Sequence, residues 1–150
     1  MTTLRFVLVF WMCFAWHACF AGGGAFPEAQ QLVEKIIEQH PNVVRLTIHA
    51  VPTGGSVNRI VACNLPDKLG KASDPEDLQA MQSNKTTVLR EGNDLDVTVP
   101  IADREGKLIA ATGVTLLRPE GRADQAGIEE AQGIARELAE AIRAAGHSLW

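Results

Sequence analysis

From Phe26 onward the apolar and polar positions follow two rhythms, and each change of rhythm marks a new element. Over Pro27–Gln39, Leu32, Val33, Ile36 and Ile37 recur at helical spacing. Proline sits in the first turn and Glu28 at the positive end of the dipole, so a helix is predicted, ended by His40-Pro41-Asn42. The period then drops to two. In Val43–Val51, Val44, Leu46, Ile48 and Ala50 alternate with Arg45, Thr47 and His49, the pattern of a strand. Pro52-Thr53-Gly54-Gly55 reads as a turn, and Val57–Asn64 as the returning antiparallel strand.

A polar connection, Leu65–Ser73, leads to Asp74-Pro75-Glu76-Asp77. A capping aspartate, a proline and two acids in the first turn predict a short helix to about Ser83. Three strands follow: Thr86–Arg90, the alternating Leu95–Ile101, and Leu108–Leu117. The last is apolar enough to be central, with Ala111 and Gly113 small where something packs close. Pro100 has no N–H for a ladder, so its strand should lie at an edge or end in a bulge. Asp103–Lys107 is a hairpin turn with a late glycine. From about Ala123, Ile128, Ala131, Ala135, Leu138, Ile142 and Ala145 draw a narrow, heptad-like seam along a long helix stopped by Gly146. That seam fits a helix packed on the sheet or on the first helix, and also a homodimer formed through the C-terminal helix.

The first 25 residues differ from the rest. One basic residue, Arg5, precedes the apolar run Phe6–Trp16, and small residues follow from Ala18 to Ala25. Basic, apolar, small is the order of a secretory signal peptide, and the run is too short to span a bilayer comfortably. Residues 1–21 are therefore expected to be removed, with cleavage as late as residue 25 an alternative. The location is then periplasmic or secreted, and residues 26–150 form one domain with its C-terminal helix at 123–146. Four of the five Phe and two of the three Trp leave with the leader, and the chain has no Tyr. The core must be aliphatic, and recognition by aromatic stacking is excluded. With a net charge of −4 and no block of Lys or Arg, nucleic acid is excluded as a partner. Cys63 alone remains outside the leader, so an internal disulfide is impossible. His40, His49 and His147 have no metal-ligand spacing, and neither a metal nor another cofactor is expected.

The element order is helix, hairpin, helix, three strands, helix. It predicts an α+β fold: a single five-stranded antiparallel sheet with N-terminal, bridging and long C-terminal helices. With that order, Lys68–Asp77 (KLGKASDPED) and the hairpin Asp96–Ala110 (DVTVPIADREGKLIA) resemble the Cache and PAS-like extracytoplasmic sensor domains, most closely the single-Cache type. The resemblance covers roughly Phe26–Leu117. It implies a pocket for a small organic molecule between the sheet and the bridging helix. The sequence departs from such sensors in having no membrane helix or output domain after the leader and few aromatic residues for a pocket. A free-standing exported sensor-type module, passing its state to a separate membrane partner, is the resulting expectation.

The candidate ligand-binding residues are the polar strand positions and the connection beside them. Arg45, His49 and Arg59 suit a carboxylate, Asp96 and Thr98 can accept from an amine or hydroxyl, and Lys68 and Lys71 can close the mouth. The expected ligand is a small anionic or zwitterionic molecule, with Arg59 as its chief contact. The bland alternative is the solvated face of a half-exposed sheet. No catalytic residue is assigned. Cys63 with His49 is the one nucleophile–base pair the hairpin could assemble, for a small hydrolase. A haem axial ligand at His40, His49 or Met81, and a ligand-free interaction module, complete the alternatives.

Overall fold

The computed structural model describes residues 26–117, 124–145 and 149–150. The segment expected to be a signal peptide, with its cleavage site, and Ala123, Gly146 and His147 lie outside the described residues. The elements follow the predicted order: α1 (Pro27–Gln39), β1 (Val43–Ala50), β2 (Arg59–Cys63), a 3-10 turn at Pro66–Lys68, α2 (Pro75–Ser83), β3 (Thr87–Glu91), β4 (Asp94–Ala102), β5 (Leu108–Leu117) and α3 (Asp124–Ala145). The strands form one antiparallel sheet in the order β2-β1-β5-β4-β3. β5 is central, as its continuous apolar run requires.

The two-residue period divides this sheet into unlike faces. Leu46, Ile48 and Ala50 of β1 stand opposite Val114, Thr112 and Ala110 of β5, which in turn stand opposite Val97, Val99 and Ile101 of β4. This face is aliphatic and packs under α1 and α3, through Ala29, Val33 and Ile36 of the one and Ala131, Ile134, Leu138 and Ile142 of the other. Each large aliphatic side chain sealed here contributes about 1.5–3 kcal/mol of burial. The middle of the α3 seam, Ala131, Ala135, Leu138 and Ile142, is thus covered inside the chain, whereas Ile128 is half-buried and Ala145 exposed. Gly127 lets α3 pack close to the sheet, since a Cβ there would lie 2.7 Å from Leu95 Cδ2.

The other face carries Arg45, Thr47 and His49 of β1, Gly113 and Thr115 of β5, and Asp96 and Thr98 of β4. It is not the solvated face of a half-exposed sheet. α2 and the segment leading into it lie across it, and Thr47, His49, Thr98 and Thr115 are all under 5% exposed. The close approach read at Gly113 is real: a Cβ there would meet Thr47 Oγ1 at 2.6 Å. Pro100 also finds its place. β3 pairs only with Asp94–Thr98, so β4 runs past its neighbour and is an edge at Pro100, then shifts register between Ile101 and Ala102.

Val114 is wholly buried at the middle of the aliphatic face. Val114→Asp should lose several kcal/mol, enough to unfold much of a marginal domain. A melting temperature within a degree or two of the parent would contradict this packing.

Candidate functional site: a polar cleft beneath α2

A cleft of about 120 Å³ opens between the polar sheet face and the start of α2. Arg45, Thr47, His49, Asp96 and Gly113 line it from the sheet, Ile60 from β2, and Lys68, Asp74, Glu76 and Asp77 from the covering segment. A larger open groove of about 770 Å³ lies between the β4–β5 turn and the end of α3. Only the smaller cleft is built on buried titratable groups.

Its key carboxylate is placed by helix-start chemistry. Asp74 caps α2, and Asp77, three residues on, reaches back to the Asp74 N–H at 3.1 Å, closing a capping box. That bond aims Asp77 at the sheet, where Oδ1 accepts from Thr98 Oγ1 at 3.1 Å and Oδ2 lies 3.2 Å from His49 Nδ1. The Ser73 hydroxyl donates to Asn58 Oδ1, so its oxygen accepts from His49 Nδ1–H at 2.9 Å. With Nδ1 the donor, Nε2 is the acceptor, and Thr47 Oγ1–H donates to it at 2.8 Å while accepting from the Gly113 N–H at 3.2 Å. A second chain runs beside it: Thr115 Oγ1 donates to Asp96 Oδ1 at 3.1 Å, and Arg45 Nη2 to Asp96 Oδ2 at 2.8 Å.

Burial lowers the His49 pKa to about 4, although Asp96 and Asp74 pull it upward. Burial also raises Asp77 to about 6, against the opposing bonds from Thr98 and the Asp74 N–H. At neutral pH His49 is therefore an uncharged imidazole whose Nδ1–H goes to Ser73, and its 3.2 Å approach to the ionised Asp77 is a close contact rather than an ion pair.

Of the seven candidate residues, Arg45, His49, Lys68 and Asp96 come together around the cleft, and Thr98 supports Asp77 from behind. Lys71 is exposed and away from the lining; its carbonyl accepts from the Ile60 N–H. Arg59 also stands apart. A regular β1–β2 ladder would place it opposite Val51, on the face of His49. The register shifts between Ile48 and His49, pairing His49 with Ile60 and Ala50 with Arg59. One extra residue turns Arg59 to the opposite face and gives its expected place to Ile60. Sequence reading missed Thr47, Ser73, Asp74, Glu76 and Asp77. Thr47 was legible from its parity with Arg45 and His49, whereas the acids read only as a helix start.

The pairing of Cys63 with His49 does not form. Cys63 stands opposite Thr47, both His49 nitrogens are engaged elsewhere, and burial raises the thiol pKa. The other haem-ligand candidates are likewise engaged: His40 Nε2 lies 3.0 Å from Glu137 Oε2, and Met81 Sδ accepts from Asn58 Nδ2. Among the described residues, no cluster of His, Cys, Asp and Glu could hold a metal ion.

Solved structures share this architecture. The GAF-domain/HD-domain protein of Geobacter sulfurreducens superposes with a TM-score of 0.55 at 11% identity, over 77% of this chain and 87% of that one. A protein of Burkholderia vietnamiensis assigned as a GAF sensor gives 0.52 at 15%, over 75% and 73%. The fold is GAF/PAS-like. The GAF domain of an Acinetobacter phosphoenolpyruvate-protein phosphotransferase agrees, with 0.51 at 15% over 75% and 78%. No protein-family model and no curated protein sequence matches the chain.

The opposed pKa shifts give a pH signature. The His49 pKa falls on folding, from 6.5 to about 4, so its contribution to stability is present above pH 6.5 and lost as pH drops toward 4. The Asp77 pKa rises on folding, from 3.8 to about 6, so its contribution is present below pH 3.8 and lost as pH rises through 6. Between pH 4 and 6 the two oppose each other. Asp77→Asn should make the melting temperature fall more steeply than the parent's from pH 7 to 4.5, and His49→Gln less steeply. Parallel pH–melting curves for all three proteins would contradict the assignment.

Proposed function

We propose that this protein is a small-molecule-binding, sensor-type domain whose ligand occupies the cleft beneath α2. The observation that carries the reading is the buried polar face. A sheet needs only one apolar face to fold, and here the second is covered by a helix, with four carboxylates, an imidazole, a guanidinium, an ammonium and the Thr47 hydroxyl around a space. Convergent polar groups with shifted pKa values in a concavity are the usual marks of a binding site. A space of this size takes a ligand of roughly benzene size, on the scale of cavities of about 150 Å³.

The GAF/PAS-like fold supports the sensor reading, and Lys68–Asp77, which resembles the Cache type, forms one wall of the cleft. An exported domain, periplasmic or secreted, follows from the order of charge, apolar run and small residues over 1–25. Among the described residues no helix is long and apolar enough to cross a membrane. In this reading the response passes to a separate membrane partner. The ligand is anionic or zwitterionic in this reading, and the domain binds it without turning it over. A ligand would act by shifting α2, because the helix start is itself part of the wall.

Protein purified gently from its native compartment should release a stoichiometric small molecule, seen by mass spectrometry of the denatured supernatant. Adding that molecule back should raise the melting temperature of the parent and do much less for Asp96→Asn. Protein with no bound molecule and no thermal shift across a broad metabolite panel would favour the ligand-free interaction module instead.

A further inference from the structure

Most of the charge in the cleft is already engaged. Asp96 holds Arg45 and Thr115, while Asp77 holds Thr98, the Asp74 N–H and His49, and Asp74 caps α2. Two lining residues differ. Among the described residues, Lys68 and Glu76 have no hydrogen-bonding or ion-pairing side-chain partner, yet each is half-buried at the cleft. Lys68 ends the 3-10 turn, and Glu76 lies in the first turn of α2.

We infer that the cleft takes a small zwitterion of the α-amino-acid type, its carboxylate met by Lys68 and its ammonium by Glu76. This inference rests on the proposed small-molecule reading and adds the ligand class and the residues that set it. The balance of charge decides against a simple anion. Two cations, Arg45 and Lys68, face four acids, Asp74, Glu76, Asp77 and Asp96, and the Arg45 guanidinium is neutralised by Asp96. An anion would meet one unengaged cation within an acidic surround. A simple cation would leave the Lys68 ammonium unpaired beside its own charge. A zwitterion satisfies both free groups without changing the charge of the cleft, and half-buried charges gain most from such pairing. His49, held neutral, adds no charge to either end.

The test uses calorimetry with a panel of L-α-amino acids, then, for each that binds, the carboxylate lacking its amino group and the amine lacking its carboxyl group. At least one amino acid should bind, with both analogues tenfold or more weaker. Lys68→Met, which keeps the apolar stem, should bind the amino acid and its amine about equally. Glu76→Gln should bind the amino acid and its carboxylate about equally. This exchange of preferences would not follow from mere loosening of the cleft, because each variant abolishes one discrimination and keeps the other. If a carboxylate or amine binds the parent as tightly as the amino acid does, the zwitterion assignment is wrong while the small-molecule reading stands. Binding unchanged in both variants would move the site away from Lys68 and Glu76. If no amino acid binds, the inference falls, and the molecule released from native protein decides the broader reading separately.

Discussion

The contact between Asp77 and the sheet is what makes the second layer of this domain possible. Apart from Ala80 of α2 and Ala111 of β5, both wholly buried, the residues between sheet and α2 are hydroxyls, an imidazole and carboxylates, so hydrophobic burial contributes little to holding them together. Asp77 serves both partners. Its Oδ2 closes the capping box that starts α2, and its Oδ1 takes the hydroxyl of Thr98 on β4. A buried carboxylate with several donors is tolerable, whereas one deprived of them is costly. Helix start and sheet face are therefore coupled: moving α2 disturbs the hydrogen bonds that make burial of Asp77 tolerable.

The same logic extends to His49 and Thr47. Every described buried side-chain nitrogen and oxygen has a partner, and with Ser73 donating to Asn58 the network admits one tautomer of His49. A network satisfied in one arrangement resists partial change and favours a discrete alternative, which suits a domain that must report whether a ligand is present. Gly113 belongs to this arrangement as well, because only a residue without a Cβ lets β5 leave the Thr47 hydroxyl in place. The aliphatic layer of α1, α3 and the opposite sheet face supplies the burial that makes such a polar layer affordable.

The unequal fates of Arg59 and Lys68 show how narrow the margin is between a site and a surface. Both are single cations next to turns, and the strand pattern of the sequence favours Arg59 as the chief contact. A single register shift at Ile48/His49 decides for Arg59, turning it away and setting Ile60 in the cleft wall. Lys68 is carried in by the 3-10 turn that folds the connection back toward β2, where Gly70 N–H bonds to the Ile60 carbonyl.

The elements, their order, the single antiparallel sheet with β5 at its centre, and the grouping of Arg45 with His49 and of Asp96 with Thr98 were legible in the chain alone. Those follow from periodicity, caps and turn chemistry, which act over a few residues and are written locally. Tertiary structure alone decided that the polar face is covered, that Asp77 reaches His49, that Cys63 does not, and that Arg59 leaves the cleft. Each of these depends on a register or on the packing of one layer over another. A one-residue shift in a ladder reverses the face of every side chain beyond it, and no local preference in the chain records it.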